Sequence, residues 1–203
     1  VASDTDIGNL ALAHLGEDGT ITSFNPPDGS VQAEHCARFY PIARDMCLEA
    51  HAWNFAQRTV QLTETLDAVN DYSFVYALPA DCLKVLRVFP DDWRRDLTGI
   101  DEFEVETDAN GQKILMCDLE SPFLLYTRQI DDTSKFSPSF VVALSYLLAS
   151  MLAGPVLKGE TGQQANKYWF SVWRAYVGFA AQLDALNQRR NFDQLPSSIQ
   201  ARC

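Results

Sequence analysis

Between Lys135 and Lys158 the chain carries no charged side chain, and that run, Phe136 to Leu157, restricts the fold more than any other feature. A helix of this length nearly crosses the roughly 30 Å hydrocarbon core of a bilayer. Ser137, Pro138, Ser145, Ser150, Gly154 and Pro155 dilute the run, however, and no cluster of basic residues flanks it. It therefore reads as the buried helix of a bundle, with no membrane partner expected. Because a helix that is apolar all round must be enclosed by other elements, the remainder of the 203 residues has to supply its cover.

The last helix is the first candidate for that cover. Ala165, Trp169, Val172, Tyr176, Phe179, Leu183 and Leu186 repeat in four-three steps, as in a coiled-coil seam. A second stripe runs through Phe170, Trp173, Val177 and Ala180. Together the two stripes span an apolar arc of roughly 200°, more than one core needs. The second stripe is therefore expected to meet either the β segment or an adjacent subunit. The candidate interface residues are Phe170, Trp173 and Val177, with Phe192, Leu195 and Ile199 as anchors in a tail that has no helical period.

At the other end, Ser3 or Asp4 can cap a short helix carrying Ile7, Leu10, Ala11, His14 and Leu15, with Gly16 as its stop. Asn25 to Gly29 read as a loop. Ser30 caps a second helix, with Cys36, Phe39, Tyr40, Ala43, Met46, Cys47 and Ala50 on its apolar positions. Pro41 is expected to kink that helix. From Arg58 the period drops to two: Val60 and Leu62, then Tyr72, Phe74, Tyr76 and Leu78. Phe103 and Val105 interleave with Glu102, Glu104 and Glu106, and the turn at 108–111 makes a hairpin with the strand after it. A further strand starts at Phe123, and the turn GETG at 159–162 precedes the last helix.

The expected class is α+β, mainly α: an antiparallel-type helical bundle of two N-terminal and two long C-terminal helices, with a central antiparallel β insertion. Residues 1–190 read as a single domain, with helices over 4–15, 31–52, 138–158 and 162–189 and the β region over 58–130. Residues 191–203 read as an extended C-terminal arm.

Chemistry is sparse. A formal net charge of -11 argues against strong attraction to DNA, RNA or an anionic membrane. Five cysteines, none spaced as C-x-x-C, fit a reducing, cytosolic compartment. The first residues show neither the basic nor the apolar region of a secretory signal. Of the three histidines, His35 and Cys36 point about 100° apart on a helix. Cys47 and His51 share a face but have no orienting acid or further ligand at matching spacing. The phosphate-loop, dinucleotide, zincin and nucleophile-elbow motifs are all missing. Asp91–Asp92 and Asp131–Asp132 are adjacent acidic pairs, and Glu102, Glu104 and Glu106 form a negative strip expected to face solvent or a channel. No catalytic residue, cofactor or metal is expected.

Four segments in order then carry a resemblance: ALAHLGE at 11–17, ITSF at 21–24, HAWNFA at 51–56 and YALPADCLKVLRV at 76–88. Over nearly its whole length the chain resembles the tail tubular protein A type of head-to-tail adaptor of short-tailed bacteriophages. The resemblance implies a structural virion protein that forms a ring homo-oligomer, expected as a dodecamer. The ring would sit between the portal protein and the tail nozzle or tail tube protein, at the head–tail interface, after assembly in the bacterial cytoplasm. Double-stranded DNA would pass through without specific binding, past an acidic wall that repels phosphates. The resemblance implies no enzyme activity. Trp53 and Phe55 match its Trp-x-Phe and are expected to clasp helix to sheet. Three alternatives stand beside it: a head-completion or connector protein of a long-tailed phage, a tail-associated cell-wall hydrolase using carboxylates as acid and base, and a soluble binding module from a host bacterium.

Overall fold

The structure, a computed structural model, describes residues 2–66, 72–90 and 102–186. Its elements in chain order are α1 (Asp4–His14), α2 (Val31–Ala50), β1 (Gln57–Gln61), β2 (Glu64–Leu66), β3 (Phe74–Ala77), β4 (Cys82–Phe89), β5 (Phe103–Thr107), β6 (Lys113–Cys117), β7 (Phe123–Arg128), α3 (Pro138–Leu157) and α4 (Gly159–Leu186). The fold is α+β, with two small antiparallel sheets between the helical halves of the sequence.

Helices α1, α2 and α3 each begin where a side chain takes up an orphan backbone donor. Ser3 and Asp6 form a reciprocal capping box on α1, Ser30 accepts from Ala33 N on α2, and Ser137 accepts from Phe140 N on α3. Pro41 lies inside α2 without ending it. The uncharged run is α3, and α1, α2 and α4 all pack on it. It is long and apolar enough to cross a membrane by length and composition, yet Phe140, Leu144, Leu147, Leu148 and Leu152 are fully buried within the chain.

The first sheet has the strand order β1-β7-β4 and the second β2-β3-β6-β5. They face one another across a shared core of Leu62, Tyr76, Leu115, Leu124 and Tyr126. On β3 and β6 the intervening Val75, Ile114 and Met116 form a separate cluster on the opposite face of the second sheet, as the period of two requires. The expected hairpin is present, with Phe103 opposite Cys117 and Thr107 opposite Lys113.

Two expectations need correction. Residues 159–162 do not form a turn; they are the first turn of α4, and Lys158 alone separates it from α3. Its backbone makes the reversal at φ 55, followed by Gly159 at φ 56. The second correction is β4, a strand that periodicity did not mark. Its register slips twice against β7, between Cys82 and Lys84 and between Val85 and Arg87. Each slip inserts a residue and resets which side chains face the core. Trp53 lies in the helical core, and Phe55 and Leu83 of β4 pack against that core. The Trp53 ring is edge-on to Phe140 at 5.2 Å, and its Nε1 donates to Cys47 O at 2.8 Å, closing the last turn of α2.

Candidate assembly surface

At 28 residues, α4 is the longest helix among those described, about 42 Å at 1.5 Å per residue. Its approach to α3 is set at Gly162. A Cβ there would lie 2.8 Å from Ala153 O and 3.3 Å from Gly154 Cα, so only a glycine lets the two backbones come this close. One turn on, Asn166 Nδ2 donates to Ser150 O at 2.7 Å. Near the other end, buried Asp184 accepts from Asn54 N at 2.9 Å and pairs with His51 Nε2 at 3.3 Å, while Asn54 Nδ2 donates to Asp184 O at 2.7 Å. Polar ties at both ends therefore fix the rotation of α4 about its axis.

That rotation decides which stripe is buried. Gly162, Trp173, Ala180 and Asp184 are buried, with Trp169, Tyr176 and Val177 half-buried beside them. The opposite outcome holds for Tyr168 (60% exposed), Phe179 (53%), Leu183 (42%) and Leu186 (81%). With half-buried Val172 and exposed Ala175 between them, these residues form a continuous apolar seam along the outer side of α4, again in four-three steps.

The stripe named for an interface is thus largely the chain's own core. Trp173 is 9% exposed and belongs to the helical core, and Val177 packs against that core. Both are corrected from interface to intrachain packing. Phe170 remains 39% exposed, its ring 5.2 Å from Trp173, at the edge of the buried face. Phe192, Leu195, Ile199 and the whole expected arm, 191–203, lie outside the described residues. Glu102, Glu104 and Glu106 are all exposed, at and beside β5, an edge strand of the second sheet.

The groups that could have carried chemistry are otherwise engaged. His51 departs from α2 in extended backbone and pairs with Asp184. Burial pushes the Cys47 thiol up to about 12. His14 lies between Tyr146 and Trp169, with ring centroids 4.8 and 4.9 Å away, and its Nε2 is 3.1 Å from Ser145 Oγ. Ser145 is fully buried and donates to Val142 O at 2.8 Å, so this Ser–His pair is a packing contact that substrate cannot reach. Asp131 pairs with Arg44, whereas Asp132 caps Ser134 and pairs with Lys135; the two neighbours do not act as one site. Asp91 and Asp92 lie outside the described residues. Among the described residues, no group of three or more His, Cys, Asp or Glu side chains could hold a metal ion.

Compared with known proteins, the chain matches no protein-family model, and no curated protein matches it by sequence.

Proposed function

We propose that this chain is a structural virion protein, a head-to-tail adaptor that assembles into a ring between the capsid portal and the tail of a short-tailed bacteriophage. The observation that carries the reading is the apolar seam of exposed Tyr168, Ala175, Phe179, Leu183 and Leu186 with half-buried Val172. A seam of alternating large side chains along one long helix is costly in water and suits burial against another protein surface. A closed ring uses a patch that meets a different patch on the next copy. The outer side of α4 can be one such patch because the ties at Gly162, Asn166 and Asp184 hold it rigidly outward. The four described helices then form the antiparallel-type bundle of one ring segment, with the two sheets as an insertion.

In this reading Glu102, Glu104 and Glu106 line the passage for DNA or face solvent, and the chain has no catalytic role. The resemblance in the order of its four segments supports the same assignment. The test is the mass, by light scattering after size exclusion, of the chain alone and mixed with the portal ring of its own virus. A complex with one adaptor per portal subunit is expected, and Phe179→Glu should abolish self-association without unfolding the chain. A chain that stays monomeric and ignores the portal refutes the assignment.

A further inference from the structure

The seam on α4 needs a surface to meet, and the described residues offer few. Outside α4, the exposed large apolar side chains among them are Leu10 on α1, Val31, Ile42 and Met46 on α2, and Val105 on β5. Only α2 carries more than one. Spacings of eleven and four residues bring Val31, Ile42 and Met46 within about 60° of one another around the helix axis. That side is opposite Tyr40, Ala43 and Cys47, which are buried in the helical core.

The two stripes match in length and in charge. At 1.5 Å per residue, Val31 to Met46 covers about 22 Å and Tyr168 to Leu186 about 27 Å. Taken at their exposed fractions, the side chains of both stripes offer on the order of 800 Å², about half of a standard interface, and a polar rim makes up the rest. Copies of a chain with net charge -11 repel one another, so contact between them is favoured where cations stand free. Lys167 and Arg174 are exposed along one flank of the seam, and neither has an ion pair among the described residues. Glu34 and Glu49, near the two ends of the α2 stripe, are also exposed and without an ion pair there. With exposed Arg38 between them, that stripe keeps a net negative charge. Both helices turn their buried faces to one core and pack on α3. Their outer sides therefore open in different directions, and one copy cannot bring them together.

We propose that the α2 stripe of one copy receives the α4 seam of the next, with Lys167 and Arg174 set against Glu34 and Glu49. The occupant of each patch is a second copy of this chain. Such a contact passes from copy to copy, as a ring requires. The inference rests on the self-association proposed above and supplies the second of its two patches. Val105, a single exposed apolar side chain on a strand between Glu104 and Glu106, is the rival patch.

The test is light scattering after size exclusion on the full chain, with variants run singly and mixed. Phe179→Glu spoils the seam and leaves α2 intact; Ile42→Glu does the reverse. Each alone should be monomeric, because a carboxylate forced into an apolar contact weakens association at least about a hundredfold. Mixed in equal amounts, they should form a one-to-one pair and nothing larger, since only the intact seam of one and the intact α2 stripe of the other can meet. Arg174→Glu should weaken association about tenfold. Ile42 is 52% exposed, so its urea midpoint should hold; Met46→Glu replaces Ile42→Glu if it does not. If the α2 variant assembles like the parent, the seam meets another patch, so self-association stands and this inference falls. If the mixed variants stay monomeric, the two stripes do not meet, and the inference falls in the same way. A parent chain that never self-associates, or a Phe179→Glu chain that assembles like it, removes both readings.

Discussion

Replacing either of two glycines on α4 by alanine should move stability in opposite directions, and the structure gives the sizes. Both substitutions remove the backbone entropy cost of a helical glycine, a gain of up to about 1 kcal/mol. At Gly178 nothing lies within 4 Å of the added methyl, so the whole gain survives. At Gly162 the methyl would sit 2.8 Å from Ala153 O and 3.3 Å from both Gly154 Cα and Gly154 O. Those are backbone atoms that cannot rotate aside, so α3 and α4 must separate. Overpacking of this kind costs about 1–3 kcal/mol, and contact with rigid backbone argues for the upper end. The net expectation for Gly162→Ala is a loss of about 2 kcal/mol. In urea unfolding, with a slope of about 2 kcal/mol/M, the midpoint should fall by about 1 M, whereas Gly178→Ala should raise it by about 0.3–0.5 M. A Gly162→Ala chain as stable as the parent, beside a Gly178→Ala chain that behaves as stated, would refute the close crossing that fixes the rotation of α4.

Lys158 occupies φ 55, ψ 167, a region nearly reserved for glycine, at a cost of about 1–3 kcal/mol. Lys158→Gly should therefore raise the urea-derived stability by about 0.5–1 kcal/mol net of unfolded-chain entropy, and Lys158→Ala should not. His14 carries a pKa lowered by burial from 6.5, so on acidification the unfolded chain takes up its proton first. Its contribution is intact above about pH 7 and is lost as pH falls through the unfolded value towards the folded one; the fall in Tm between about pH 7.5 and 5 should flatten in His14→Phe, which keeps a ring in the stack. With its thiol pushed up to about 12 by burial, Cys47 should resist alkylation at about pH 8 in the folded chain and react on unfolding, as read by peptide mass spectrometry.

Much of the architecture was legible because the signals were local. Ser3 and Ser30 mark the starts of α1 and α2, and the uncharged run after Ser137 marks that of α3, to within a residue of the structure. The alternation of Phe103 and Val105 with glutamates, closed by the turn at 108–111, gives the β5–β6 hairpin. Where local signals were interrupted, reading failed. β4 holds Leu83 and Leu86 at the two slips in its pairing with β7, so its apolar residues follow no single period. The α3–α4 reversal was misplaced because two glycines within four residues suggest a turn, while the reversal in fact uses Lys158 and Gly159 and leaves Gly162 for helix packing.

The roles of the two apolar stripes on α4 show where periodicity stops being informative. Rotating the helix by about a quarter turn exchanges them, and both run in four-three steps, so the period alone fits either orientation. What selects one is the set of residues that are small or polar: Gly162, Asn166 and Asp184. Read as apolar positions they are gaps, and a search for hydrophobic repeats passes over them. Each nevertheless requires a specific neighbour: Gly162 a backbone at van der Waals distance, Asn166 the carbonyl of Ser150, and Asp184 the N–H of Asn54. These three lie within about 60° of one another around the helix axis, on the face of Trp173 and Ala180, which places Tyr168, Phe179 and Leu186 outward. A close-packed glycine and a buried aspartate on one face, with an asparagine tied to a neighbouring carbonyl between them, therefore mark the inward side of this helix more securely than the aromatic residues do, because a buried carboxylate is tolerable only where a partner waits.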